Sequence, residues 1–141
     1  MSTYLFIAYI DDLSNMLNSA GIRCHIHNCC YNHVFYAVEL CVIAHSPNGL
    51  QGLLNICATF GIENDVEYNP IKSLCMIFKP GLHLKCPDIY MSLKKFAYVN
   101  QANYLGVIVC NDLKDNEDIL RNLRNFYTRH YQTISPLFHR C

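Results

Sequence analysis

The sequence lacks most of the features that would place it quickly. Eleven basic residues face eleven acidic ones, leaving no formal net charge. The whole-chain positive field typical of a nucleic-acid binder is therefore missing, and any basic surface must be local. No leader of charged, then apolar, then small residues opens the chain: Leu5 to Ile10 is apolar, but Asp11-Asp12 ends it. The longest apolar run, Val34 to Ala44, is broken by Glu39 and falls well short of the roughly 20 residues that span a bilayer. A soluble, intracellular chain without a membrane partner is the expectation. There is no internal repeat, low-complexity tract or obvious linker. The nine cysteines include no Cys-x-x-Cys pair, and their odd number argues against a disulfide framework, so reduced and mostly buried thiols are expected.

What is present suits one domain with a core: 141 residues, 52% of them hydrophobic. Leu13, Met16, Leu17 and Ala20 recur at helical spacing before Gly21, so a helix ends near residue 20 and begins upstream of Asp11. Residues 22–32 alternate polar and apolar side chains, with Asn28 and Asn32 as turn candidates, which suggests a short hairpin. His33 to Ala44 fits a long buried strand or a helix, and periodicity does not decide between them. Ser46-Pro47-Asn48-Gly49 has helix-start chemistry, and Leu50, Leu53, Leu54, Cys57 and Phe60 form an apolar stripe ending at Gly61. Val66 to Tyr68 and Ser73 to Phe78 read as strands around an Asn69-Pro70 turn, with Pro80-Gly81 closing the second. Short strands follow at Asp88 to Met91, Phe96 to Val99 and Tyr104 to Val109.

From Asp112 to Ile134 the character changes. Acids gather at the front, and Ile119, Leu120, Leu123, Phe126, Tyr127 and Ile134 follow at helical spacing, an order that suits the helix dipole. Arg121, Arg124, Arg129 and Arg140 all come after the last acid and make this the one locally basic stretch. A second chemical cluster lies at Cys24, His25, His27, Cys29, Cys30 and His33, which has enough soft ligands for zinc. On a single strand, His25, His27 and Cys29 would share a face. The spacing matches no common zinc template, so a polar hairpin is the commoner reading, with a small zinc-binding interaction protein as the alternative.

The order of these features resembles the reverse transcriptases of non-LTR (LINE-type) retrotransposons. Ser2-Thr3-Tyr4-Leu5-Phe6, with Tyr9-Ile10-Asp11-Asp12-Leu13 behind it, is similar to the Ser-Pro-x-Leu-Phe stretch and helix of motif B. His33-Val34-Phe35-Tyr36-Ala37-Val38-Glu39-Leu40 resembles motif C, whose usual core is Phe-Tyr-Ala-Asp-Asp. Asn69-Pro70-Ile71-Lys72-Ser73 is similar to motif D, and Tyr104-Leu105-Gly106 to motif E. Each piece is short, but five in the family's order cover essentially the whole chain. The resemblance implies an α+β fold: an incomplete palm over residues 1–110 (helix, catalytic-type hairpin, helix, short antiparallel strands), then the start of a thumb helix over 111–141. It also resolves the ambiguous run into two strands joined by a tight turn at Ala37 to Glu39. Tyr9-Ile10-Asp11-Asp12 has the form of a catalytic motif, but helical spacing continues behind it where a catalytic turn needs a strand, so its acids are expected on a helix face.

In the resembled family, two Mg²⁺ ions roughly 4 Å apart drive RNA-directed DNA synthesis on a template-primer, held by aspartates of motifs A and C. Motif A is expected upstream of this chain, which opens inside motif B. At the first motif C position Val38 offers no oxygen, and Glu39 alone keeps a carboxylate, so only a vestigial metal contact is expected and no productive Mg²⁺. Val38 is also a poor turn residue, because β-branching disfavours positive φ. By resemblance, Lys72 is the motif D general acid, and Tyr104 and Gly106 belong to the primer grip. Read without the resemblance, they are a surface lysine, a strand aromatic and a glycine permitting a bend. Arg121, Arg124 and Arg129 fit either phosphate contacts or a solvated helix face. The resulting expectation is a degenerate fragment, inactive as a polymerase and binding nucleic acid weakly or not at all, with a non-enzymatic nucleic-acid binder as the alternative. Loss of the motif A strand would leave an unpaired sheet edge and low stability.

Overall fold

The structure is a computed structural model that describes residues 3–27, 29–69, 71–78 and 86–138. Ser2, Asn28, Pro70, Pro80-Gly81 and Arg140, which entered the expectations above, lie outside the described residues. The fold is mixed α and β, with three helices and ten short strands among the described residues. The chain divides into two compact units, Met1–Ser73 with Leu84–Ala97 and Leu74–His83 with Tyr98–Cys141.

In the first unit, α1 (Thr3–Ser19) carries Ile10, Leu13 and Leu17 on one stripe, and α2 (Pro47–Glu63) answers with Leu53, Cys57 and Phe60. These six are buried together, with Phe35, Leu40, Val42, Val66, Tyr68 and Met91 packed around them. The positions follow i, i+3, i+4 and i+7 spacing, which puts them on one helix face. The helix ends have identifiable causes. Gly21 takes φ +71 just beyond α1, a left-handed geometry that costs glycine nothing. Arg23 donates to the Asn18 carbonyl in the last turn of α1 at 2.9 Å. Ser46 caps α2 by accepting from the Gly49 N–H at 3.1 Å, with Pro47 at the first helical position. Burial pushes the Cys57 thiol up to about 12, so it stays protonated and packs as a small hydrophobe.

Between the helices lie two antiparallel hairpins, β1 (Cys24–Ile26) with β2 (Cys29–Tyr31), and β3 (His33–Tyr36) with β4 (Glu39–Val42). A third, β6 (Tyr90–Met91) with β7 (Lys94–Lys95), is pinned to α2 by Gln51. Its amide donates to the Tyr90 carbonyl at 2.7 Å and accepts from the Tyr90 N–H at 2.9 Å. In the second unit, β5 (Leu74–Cys75) accepts at its Cys75 carbonyl from the Val99 N–H, just after β8 (Ala97–Tyr98). There β9 (Gln101–Tyr104) and β10 (Val107–Cys110) form a hairpin beside α3 (Asn116–Phe138).

Several expected elements differ. The buried stripe of α2 ends at Gly61 as expected, but the helix itself runs on to Glu63. Val66 to Tyr68 is not a strand, because its Val66 N–H is bonded to the Gly61 carbonyl and so serves the helix end. Ser73 to Phe78 shrinks to Leu74–Cys75. The Asn69 turn holds Ser73 through both its N–H and its hydroxyl, delaying the extended segment. Tyr104 to Val109 is two strands rather than one. Leu105 at φ 50 and Gly106 at φ +80 form a two-residue turn of the kind that matches strand twist.

Candidate functional site

The 33–42 hairpin is the element on which the functional expectations converge. Its register pairs His33 with Val42, Val34 with Cys41, Phe35 with Leu40 and Tyr36 with Glu39, which leaves Ala37 and Val38 as the turn. The ambiguous apolar run is thus two short strands. Phe35, Leu40 and Val42 face the core, while Val34, Tyr36 and Glu39 point to solvent. The turn strain expected at Val38 falls on its neighbour: Ala37 takes φ 49. Val38 is 77% exposed and Glu39 is exposed beside it. A single carboxylate next to a valine does not supply the oxygen set that two Mg²⁺ ions need, so the residues of this turn do not fit such a centre. Asp11 and Asp12 sit exposed on α1, the helix-face placement expected for them.

The hairpin is tied to α1 by a chain of side-chain hydrogen bonds. Ser14 Oγ lies 2.8 Å from His33 Nε2, and His33 Nδ1 lies 2.6 Å from Asn32 Oδ1. Asn32 Nδ2 donates to the Leu17 carbonyl at 2.5 Å, in the last turn of α1, where that carbonyl also accepts from the Ala20 N–H at 3.2 Å. Asn32 is buried, 2% exposed. The Ile43 N–H donates to the Asn32 carbonyl and extends the hairpin ladder by one rung.

Burial holds His33 below its ordinary value of 6.5. The sign of the linkage follows. In the folded protein His33 resists a proton that the unfolded chain accepts, so its contribution to stability is complete above pH 6.5 and is lost as pH falls below it. Urea melts on the acid side of that value should show a declining midpoint, and His33→Gln should flatten the decline. An equal decline in both proteins would contradict the assignment.

The zinc reading depended on His25, His27 and Cys29 sharing one strand face. Instead the chain reverses there: His27 has φ 54 between β1 and β2, with Ile26 paired to Cys29. Among the described residues, no three His, Cys, Asp or Glu side chains are placed to hold a metal ion. Lys72 is exposed in the turn after Asn69, whose Oδ1 accepts from the Lys72 N–H at 3.3 Å.

The remaining expected site residues belong to the second unit. Tyr104 ends β9, half-buried, and Gly106 occupies the following turn. Arg121 is already engaged: its Nη2 donates to the Gly106 carbonyl and pairs with Asp118 Oδ1 at 2.6 Å. Asp118 Oδ1 also accepts from the Ile108 N–H at 2.8 Å, so α3 is stitched to the β9–β10 hairpin by one carboxylate and one guanidinium. Arg121 is a structural tie through Nη2, and Arg124 and Arg129 are exposed on α3. Arg121→Ala should destabilise this unit by ~1 kcal/mol after allowance for its partial exposure. Arg124→Ala should stay within about 0.5 kcal/mol. Thermal melts of the two variants check the contrast.

No protein-family model, curated protein or solved structure matches the chain. The placement of these residues therefore has to stand on its own geometry. Sequence pattern gives no signal for Ser14, and it marks Asn32 and Asp118 only as a turn candidate and a helix-front acid. Nineteen positions separate Ser14 from His33, and only hairpin formation brings them together.

Proposed function

We propose that the chain is a relic of a non-LTR retrotransposon reverse transcriptase, derived from the palm and the first thumb helix, and that it does not perform nucleotidyl transfer. The observation that carries the reading is the β3–β4 hairpin. The residues resembling motif C fold as two strands with the turn at Ala37-Val38, preceded by one helix and followed by another, as the resemblance requires. Further support comes from the tight turn at Leu105-Gly106 within the motif E resemblance and from the helix that follows it. Inactivity rests on chemistry at the turn, where a valine side chain stands at a position that must ligate metal.

Two experiments test the two halves. In primer extension on an RNA template with Mg²⁺ or Mn²⁺, the chain should incorporate no nucleotide, and Val38→Asp with Glu39→Asp should not restore incorporation. Template-dependent incorporation by the unaltered chain would overturn the claim of inactivity. For the ancestry, residues 33–42 carrying those two substitutions are grafted over the motif C hairpin of an active LINE-type enzyme. The graft should retain polymerase activity, while the same graft with Val38-Glu39 should be dead. A dead doubly substituted graft in a folded enzyme would remove the motif C assignment.

A further inference from the structure

We propose that Ser14, His33 and Asn32 form a nucleophile, base and orienter relay through which Ser14 accepts an acyl group from an activated ester or thioester. This goes beyond the ancestral reading and does not depend on it.

The polarity of the hydrogen-bond chain is fixed from its buried end. The Leu17 carbonyl can only accept, so the amide nitrogen of Asn32 must face it, at 2.5 Å. The Asn32 oxygen is thereby turned to His33 Nδ1 at 2.6 Å, and because that oxygen can only accept, Nδ1 must carry the proton. Nε2 is left with its lone pair 2.8 Å from Ser14 Oγ, which donates to it. A neutral imidazole held in one tautomer by a buried partner, with a hydroxyl on its other nitrogen, is the arrangement that activates serine in acyl transfer. The burial gradient is also right. Asn32 is enclosed, whereas Ser14 and His33 are only half-buried and open to a reagent from solution. Burial lowers the His33 pKa and so favours the uncharged form, whose Nε2 lone pair is free to face Ser14.

The position of Ser14 limits what the relay can act on. It lies in the interior of α1, where its own N–H is used in the helix ladder and cannot serve a developing oxyanion. The acyl donor must therefore bring a good leaving group. Ser14 Oγ forms a bond to the acyl carbon while its proton passes to His33 Nε2. The bond from that carbon to the thiol sulfur or aryl oxygen breaks, and the leaving group takes the electron pair and then the proton. Water attacking the acyl-serine, with its proton again taken by Nε2, releases the carboxylic acid and restores the hydroxyl.

The test incubates the full chain with p-nitrophenyl acetate or phenyl thioacetate, follows release of the leaving group, and maps the acetyl group by peptide mass analysis. Acetylation of Ser14 is expected, with none there in Ser14→Ala. His33→Gln should slow it on the order of 10²-fold, the ordinary contribution of a general base. Circular dichroism of each variant separates lost chemistry from lost fold. Ser14 is partly exposed, so its alanine variant should fold, and the site of acetylation decides the matter even where a His33 variant does not. Acetyl groups confined to lysines, cysteines or the N-terminus would overturn the proposal. So would an undiminished rate at Ser14 in folded His33→Gln protein.

Discussion

Leu17→Ala is expected to lower the stability of the first unit by ~2–5 kcal/mol, the range for truncating a fully enclosed leucine that its neighbours cannot collapse around. Leu17 has no exposed surface and belongs to the cluster that joins α1 to α2 with Leu13, Leu53, Cys57 and Phe60. The same residue's carbonyl accepts from the Ala20 N–H at 3.2 Å and from the Asn32 amide, so it seats the helix end and the base of the β3–β4 hairpin together. A cavity under Leu17 thus loosens the helix pair and the hairpin at once. Small domains hold about 5–15 kcal/mol in total, so a loss of this size removes a large share of the folded population. Met16 is adjacent in sequence but 38% exposed, and Met16→Ala should change stability by only about 0.5 kcal/mol. Urea melts of the pair check the contrast. A Leu17→Ala loss no larger than that of Met16→Ala would contradict this core.

The helices were legible because each writes a period into the sequence. Leu13 and Leu17 before Gly21, the Ser46-Pro47 start of α2 and the acids heading α3 all lie close to where the structure puts them. In α3 the period predicts the helix but not what covers it. Phe126 is 59% exposed and Tyr127 68%, and Ile119, Leu120 and Leu123 are exposed too, against the core packing that helical spacing suggests. The strands were less legible because each runs only two to four residues, too short for alternation to register. Pattern leaves residues 34–44 open between strand and helix, and the antiparallel register around Ala37-Val38 decides for two strands. The long-range polar ties were illegible: His33 finds Ser14, and Asp118 finds Ile108, across chain reversals that local spacing does not encode, whereas the Asp118–Arg121 pair is an i, i+3 neighbour on α3. Arg121, open by sequence to either phosphate contacts or a solvated helix face, donates through Nη2 to a carboxylate and a backbone carbonyl.

Gly61 shows how a residue can be noticed for the wrong reason, and it carries the second large effect. By pattern it is a helix stop, yet α2 continues two residues beyond it. Its lack of a side chain matters because the chain folds back over that face. A Cβ there would lie 2.7 Å from the Val66 carbonyl oxygen and 3.0 Å from the Tyr68 ring. Two terms oppose each other in Gly61→Ala. Helix propensity favours alanine by about 0.8–1.0 kcal/mol. The added methyl, however, meets backbone that is itself bonded, since the Val66 N–H donates to the Gly61 carbonyl at 2.9 Å, and forcing such a site apart costs about 1–3 kcal/mol. Backbone cannot swing aside as a side-chain end can, so the clash wins and the variant should be less stable. Gly52, in the same helix, provides the control. A Cβ there would meet only the terminal methyl of Ile22, at 3.1 Å, which can turn away. Gly52→Ala should therefore keep most of the propensity gain and raise the melting temperature, while Gly61→Ala lowers it. Thermal melts followed by helix ellipticity read both signs. Equal stabilisation by the two substitutions would mean that Val66 to Tyr68 does not cross the end of α2.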